Sequence, residues 1–351
     1  MEFLTAITFV KDQILLDDRV KTITHGMEDT IDLNKKNDYH KKIPPKSNQV
    51  YMDSLKPILY FSIFRYPLKL EEIHGYTKYK TLQETKDDIH FLIEKEVIGK
   101  VDDFYVYNND NESVAKRVKG NNQAEKALVI AKERASFIAK FPFVKGVGVS
   151  GSLSKGYYDS DSDIDFFIIT QHSKLWICRT FLMVYKKLFL FNSRQFFCIN
   201  YYVSENQLEI EEKNIFTATE LKTLIPLEGS MVFENFYKKN NWIASFFSNF
   251  KVNLVDVQDT KKPWFSRTIE YVLKTRFGTF LDGTFKSITL KKWNAKFHYL
   301  NPKDFEIAMK SSENISKHHP SNFQKKVIHS LNEKIEEVKI KFAIEITKEH
   351  V

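Results

Sequence analysis

The stretch FVKGVGVSGSLSKGYYDSDSDIDFFIIT, residues 143–170, decides the fold of the central part of the chain. Its two apolar runs, 144–149 and 164–169, predict two β-strands. The first run ends in Ser150-Gly151-Ser152. The glycine permits another molecule to approach the backbone closely, and a helical turn after it offers free N–H groups to a phosphate. The stretch therefore predicts a strand, a phosphate-binding turn and a second strand.

Two aspartates, Asp163 and Asp165, open the second predicted strand on either side of Ile164. Because side chains two residues apart on a strand share a face, both carboxylates are expected on one face while Ile164 enters the core. Two carboxylates this close repel each other unless a cation lies between them, and ligation by oxygen atoms alone suits Mg²⁺. A phosphate-binding turn beside such a metal site is typical of a protein that handles a nucleoside triphosphate.

These residues carry a recognisable pattern, which is Val149-Ser150-Gly151-Ser152 followed after ten residues by Asp163-Ile164-Asp165-Phe166. The pattern resembles the signature of the polymerase-β-like nucleotidyltransferase superfamily, and the resemblance covers about residues 120–205. It implies that Gly151 and Ser152 hold the triphosphate of an NTP donor. It also implies that Asp163 and Asp165 are catalytic and bind Mg²⁺ or Mn²⁺.

Two further positions enter the predicted site, and each leaves an alternative open. Lys155 follows one turn into the helix, where it is a candidate phosphate contact or an ordinary exposed lysine. Catalytic members of the superfamily usually place a third carboxylate on the neighbouring strand, and the matching position here is Asn200. An amide oxygen can ligate Mg²⁺ but cannot accept a proton as a base. Glu205 and Glu209 are therefore candidates to replace the missing acid.

Residues 51–112 are expected to form a separate module of three helices followed by a two-stranded hairpin, which resembles a winged-helix domain. Thr81 and Glu84 predict a capping box at the start of the third helix. That helix also carries Asp87 and Asp88, and an acidic recognition helix is a poor match to a phosphate backbone. Packing or protein contact is therefore the favoured use of the module.

The remaining boundaries complete the predicted organisation, an α+β fold. Residues 1–50 are interpreted as an N-terminal arm and linker. Residues 113–230 are expected to form the nucleotidyltransferase-type α/β core, a mixed sheet with flanking helices. Helical periodicity predominates in residues 231–351, which are expected to form a helical C-terminal domain.

Composition limits the classes of protein that the chain can belong to. The apolar window 175–199 contains four basic residues, which excludes a membrane span there, and the N-terminus lacks the pattern of a signal peptide. Cys178 and Cys198 lack metal-type spacing and read as buried free thiols, which favours a cytoplasmic protein without membrane partners. Residues 236–300 carry 12 Lys or Arg against 4 Asp or Glu, enough to account for the formal charge of +8.

The sequence thus predicts a Mg²⁺-dependent nucleotidyltransferase that moves a nucleoside monophosphate from an NTP to an acceptor and releases pyrophosphate. The acceptor stays open between a small molecule, RNA and protein. One alternative is a nucleotide-binding or scaffold protein that has lost catalysis, with Asn200 as the lesion. Another is a nucleic-acid-binding protein that uses the winged-helix-like module and the basic segment 236–300.

Overall fold

A mixed five-stranded sheet with helices on both faces organises the structure, which is a computed structural model. It describes residues 52–78, 80–191, 195–318 and 322–350. All of these residues fall within one unit, Lys46–Val351. The predicted arm and linker over residues 1–50 lies outside the described residues.

Three helices and a hairpin precede the sheet. Their bounds are α1 Met52–Ser62, α2 Leu70–Gly75, α3 Leu82–Glu94, β1 Ile98–Val101 and β2 Phe104–Tyr107. The predicted capping box is confirmed, because the Thr81 side chain accepts from the Glu84 backbone N–H while the Glu84 carboxylate accepts from the Thr81 N–H. The order of elements is the expected one, and the assignment of residues 51–112 to a winged-helix fold stays a prediction.

The central sheet is built largely from the segment that the sequence marked as the core. Its elements are α4 Glu112–Ala139, β3 Val144–Ser150, α5 Gly151–Ser154, β4 Asp165–Thr170, α6 Leu175–Phe189, β5 Cys198–Ser204, α7 Ile215–Thr223 and β6 Ile225–Glu228. The strand order is β6-β3-β4-β5-β7. Strands β4 and β5 are parallel, and the other neighbouring pairs are antiparallel. The predicted mixed sheet with flanking helices is confirmed.

Alternating side chains on β4 divide the core into two layers, as the period of two residues along a strand requires. Phe166 and Ile168 pack with the apolar side chains of α4 and α6. Phe167 and Ile169 pack on the other face, with residues of α1, α7 and α8. The N-terminal helices therefore share a hydrophobic core with the sheet.

The C-terminal part is mainly helical, as predicted, but it also supplies the edge strand β7. Its elements are α8 Ser230–Lys239, a 3₁₀ helix Asn241–Ser245, α9 Trp264–Leu273, α10 Arg276–Lys296, α11 Pro302–Ala308, β7 Ile315–Lys317 and α12 Phe323–Phe342. The boundary expected at residue 230 stays a prediction. Among the helices of the described residues, none combines the length and the apolar character needed to cross a bilayer.

Candidate active site

The Gly-Ser turn begins where β3 ends. Ser150 is the N-cap of α5, and Gly151 is its first residue, with a φ of 71°. A Cβ atom on Gly151 would lie 2.5 Å from Oδ2 of Asp165. A side chain is therefore excluded twice, by the positive φ and by the carboxylate. The absence of a side chain brings the backbone of the turn directly against Asp165.

Asp165 is the first residue of β4, and it pairs with Ser150, the last residue of β3. This register sets the carboxylate beside the turn. Burial, the largest effect, raises the pKa of Asp165 to about 6. The charges of Asp163 and Glu220 raise this pKa further, whereas a hydrogen bond with Cys198 and the charge of Lys155 lower it.

Asp163 precedes β4 and interacts electrostatically with Asp165, as the sequence pattern predicts. Ile164 between them is fully buried in the layer that contains α4 and α6. Its backbone N–H donates to the carbonyl of Gln195 at 2.8 Å. The backbone before the strand is thus held in place, and the two acids form one negative site.

Asn200 lies beside Asp165 because of an irregularity in the pairing of β4 with β5. Phe166 pairs with Ile199 and Phe167 pairs with Tyr201, so Asn200 is the extra residue of a β-bulge. Its side-chain nitrogen lies 3.1 Å from Oδ1 of Asp165 and donates a hydrogen bond to it. The position that the sequence matched to the third carboxylate is therefore adjacent to Asp165.

Ser152 and Lys155 differ in their contacts. In the described part of the chain, no group forms a hydrogen bond with the Ser152 hydroxyl. The ammonium of Lys155 lies 2.8 Å from a carboxylate oxygen of Glu220 and donates to the carbonyl of Gly151 at 3.0 Å. Only 14% of the Lys155 side chain is exposed, so it is not the solvated lysine considered as the alternative.

Glu220 is the site residue that the sequence analysis missed. The helix that contains it begins after the N-cap Asn214, whose side chain accepts from the Thr217 N–H. The helix α7 reads IFTATELKT, so Glu220 is its only acid. The sequence signal that could have identified Glu220 is a single acid in the helix that is the next element after β5.

The two candidate substitutes for the third carboxylate do not reach the site. The backbone N–H of Glu205 donates to Thr170, at the opposite end of β4 from Asp165. The Glu205 carboxylate accepts from the backbone N–H of His172. Glu209 forms an exposed ion pair with Lys213. Both hypotheses are wrong, because β5 continues to Ser204 and carries the chain away from Asp165.

The turn is also anchored to the N-terminal helices and to α4. The Tyr66 hydroxyl donates to the carbonyl of Lys155 at 2.6 Å. The side chain of Asn121 on α4 donates to Tyr66 and to the carbonyl of Gly156. These contacts hold the chain just after the motif, between two other elements of the fold.

The donor set of the site is two carboxylates and one amide. Within the described residues, no group of three or more His, Cys, Asp or Glu side chains is placed to hold a metal ion. Asp163 and Asp165 fit a hard cation, since they are oxygen donors whose mutual repulsion a cation relieves. The remaining ligands of such a cation would have to come from water or from a bound phosphate.

Part of the chain matches a known protein family. Residues 130–256, a little over a third of the chain, match the model of the nucleotidyltransferase domain family. The matched segment runs from within α4 beyond the 3₁₀ helix and contains Gly151, Ser152, Lys155, Asp163, Asp165, Asn200 and Glu220. No curated protein and no solved structure matches the chain.

Proposed function

We propose that the protein transfers a nucleoside monophosphate from an NTP to an acceptor. Residues 130–256 match the nucleotidyltransferase domain family, and they carry the Gly-Ser and Asp-x-Asp pattern that resembles the polymerase-β-like superfamily. An acceptor oxygen attacks the α-phosphorus, and a new P–O bond forms. The bond from the α-phosphorus to the bridging oxygen breaks, pyrophosphate leaves, and the proton of the acceptor hydroxyl passes to a base or to water.

The observation that carries this proposal is the contact between the turn and the acid. Gly151 has a positive φ, and a Cβ atom added to it would lie only 2.5 Å from an oxygen of the Asp165 carboxylate. A structural turn has no need of such an approach to a buried carboxylate, whose charge costs free energy. A triphosphate bound at the turn would contact a metal ion bound by Asp163 and Asp165. Such a contact explains why the backbone at Gly151 lies so close to Asp165.

Each residue has a distinct role in the proposal. Gly151 and Ser152 hold the β- and γ-phosphates through their backbone N–H groups and through the Ser152 hydroxyl. Asp163 and Asp165 bind Mg²⁺ or Mn²⁺, which when present neutralises charge that develops on the phosphates. Lys155 leaves Glu220 to contact a phosphate, and Glu220 then remains as a carboxylate near Asp165.

Parallel reactions with α-labelled and γ-labelled NTP test this reaction. The acceptor panel includes the protein itself, sugar phosphates, small antibiotics and tRNA. We expect Mg²⁺-dependent label in a product only from the α position, and no transfer by Asp165→Asn. The control Asp161→Asn changes an exposed acid of the same loop and should keep the activity. Label transferred from the γ position would mean phosphoryl transfer and overturn the proposal.

A second candidate function is nucleotide binding without turnover. The observation that favours it is the hydrogen bond from Asn200 to Asp165, since an amide occupies the place expected for the proton-accepting carboxylate. Binding of Mg²⁺ and NTP without label transfer to any acceptor, together with transfer gained by Asn200→Asp, would favour this candidate.

A further inference from the structure

A cavity of about 310 Å³ lies next to the Gly-Ser turn, between α2 and α7. Ser154 and Lys155 border it on one side, and Lys222 and Thr223 border it on another. Phe61, Tyr66 and Tyr76 supply its aromatic lining. The volume is at the lower end of the range for pockets that bind small molecules.

Lys222 is the unusual residue of this cavity. Its ammonium lies 4.8 Å from the ring centroid of Tyr76, 5.3 Å from that of Phe250 and 5.9 Å from that of Phe247. No carboxylate in the described part of the chain pairs with it. Aromatic faces stabilise a cation only partly, so the ammonium remains available to an anion.

The electrostatic surroundings of Lys222 agree with this view. Burial lowers its pKa to about 8, and no charged group among the described residues offsets the effect. An anionic ligand would supply the missing counter-charge. Glu72, which also lines the cavity, is held by Arg117 at 2.5 Å, so its charge is already compensated.

The other acid of the lining, Glu71, lies away from Lys222. Glu71 is in the first turn of α2, whereas Gly75 is its last residue. A Cβ atom on Gly75 would lie 3.6 Å from the Lys222 ammonium nitrogen. The cavity therefore has a cationic end at Lys222 and an acidic edge at the opposite end of α2.

The cavity shares only Lys155 with the residues that are proposed to hold the donor phosphates and the metal ion. Gly151 and Ser152 begin α5, whereas the cavity is bordered by Ser154 and Lys155 at its C-terminal end. The Lys155 carbonyl at that end is already engaged by Tyr66. In the proposed function the donor triphosphate binds at Gly151 and Ser152, so the cavity adjoins the donor from the other end of α5.

We propose that this cavity binds the acceptor substrate, a small molecule with an anionic group that pairs with Lys222. The assignment rests on the proposed nucleotidyl transfer, which requires a second substrate next to the triphosphate. The anionic group lies at the Lys222 end, and the aromatic side chains Tyr66 and Tyr76 contact the rest of the molecule. The acceptor is thus a small anion rather than RNA or a protein.

Isothermal titration calorimetry with inorganic phosphate, on the full chain without Mg²⁺ or nucleotide, tests the cavity itself. We expect wild type to bind phosphate and Lys222→Met to bind it about tenfold or more weakly. Lys222→Gln should behave in the same way, and it serves if the Met variant does not fold. The control Lys213→Met removes an exposed lysine just before α7 and should leave binding unchanged. Equal phosphate binding by wild type and both Lys222 variants, or none by wild type, would overturn the proposal.

Competition then separates the two sources of an anion. Phosphate bound to the cavity should remain bound at saturating Mg²⁺ and NTP if the cavity serves the acceptor. Displacement of phosphate by NTP would assign Lys222 to the donor triphosphate and overturn the acceptor site. Asp165→Asn should lose NTP binding but keep phosphate binding, so a failure of the proposed function is distinguishable from a failure of this inference.

Discussion

Asn200 donates its side-chain amide to Asp165 at 3.1 Å, from the bulged position of β5. This contact joins Asn200, which stands where the superfamily pattern has a third carboxylate, to Asp165, the site acid whose pKa is raised. A carboxylate at position 200 would face the Asp165 carboxylate across about the same distance and would repel it.

Asn200→Asp should lower stability in the absence of metal and restore it in Mg²⁺. A third carboxylate beside Asp165 replaces a hydrogen bond with repulsion, at a cost of about 1–3 kcal/mol. Thermal unfolding with and without Mg²⁺ measures both the loss of stability and its recovery. An unchanged melting temperature in both conditions would show that position 200 does not face the acids.

Asp165→Asn should stabilise the ligand-free protein while it abolishes Mg²⁺-dependent NTP binding. The shift of the Asp165 pKa from 3.8 to about 6 corresponds to about 3 kcal/mol of unfavourable charge burial, as an upper estimate. Urea unfolding at pH 7.5 measures the gain. Asp161→Asn is the matched control, and a loss of stability in Asp165→Asn would contradict the charge-burial explanation.

Gly151→Ala should destabilise the protein by about 1–3 kcal/mol and weaken NTP binding, because a Cβ cannot lie 2.5 Å from the Asp165 oxygen. Gly283→Ala is the matched control, since nothing lies within 4 Å of its added Cβ in α10. That control should stabilise the protein by about 0.5–1 kcal/mol. Calorimetric unfolding of both variants checks the contrast. Similar effects in the two variants would show that the contact is not specific.

Glu220→Gln and Lys155→Met should change NTP affinity in opposite directions. The first releases Lys155 from its 2.8 Å ion pair and leaves it available to a phosphate, so affinity should rise by about two- to tenfold. The second removes the cation, so affinity should fall. Titration calorimetry with Mg²⁺ and NTP checks both. A fall in affinity in Glu220→Gln would assign Glu220 itself to nucleotide or metal binding.

Asp282 gives a pH dependence outside the site. It lies on α10 and accepts from the backbone N–H of Ile177 at 2.9 Å, and burial raises its pKa to about 6. A raised pKa favours the protonated form in the folded state, so this contribution to stability increases as pH falls from about 7 toward 4. Asp282→Asn should remove that part of the pH dependence and keep the hydrogen bond. Urea unfolding measures the free energy of unfolding against pH. An identical pH profile for wild type and Asp282→Asn would contradict a raised pKa of Asp282.

Local patterns predicted most of the fold that surrounds the site. The alternation around Ile164 and the small residues at Gly151 depend on neighbours in sequence, so the strand, turn and strand followed directly from them. The capping box at Thr81 is likewise a local interaction.

The features that the sequence did not reveal depend on contacts between distant segments. Glu220 meets Lys155 across 65 positions of the chain, and no periodicity reports such a pair. The bulge at Asn200 is a property of two paired strands. β7 is only three residues long, too short for a recognisable pattern, and it joins the sheet through β5. The aromatic rings around Lys222 of α7 come from Tyr76, at the end of α2, and from Phe247 and Phe250, after the 3₁₀ helix.

The most direct test of the central claim is calorimetric binding of the four NTPs with and without Mg²⁺. Wild type is compared with the Asp163→Asn, Asp165→Asn double variant and with the control Asp161→Asn. We predict binding of at least one NTP that requires Mg²⁺, is retained in the control and is lost in the double variant. Binding of no NTP by wild type, or equal Mg²⁺-dependent binding by the double variant, would contradict a donor-nucleotide site at the Gly-Ser turn and the two aspartates.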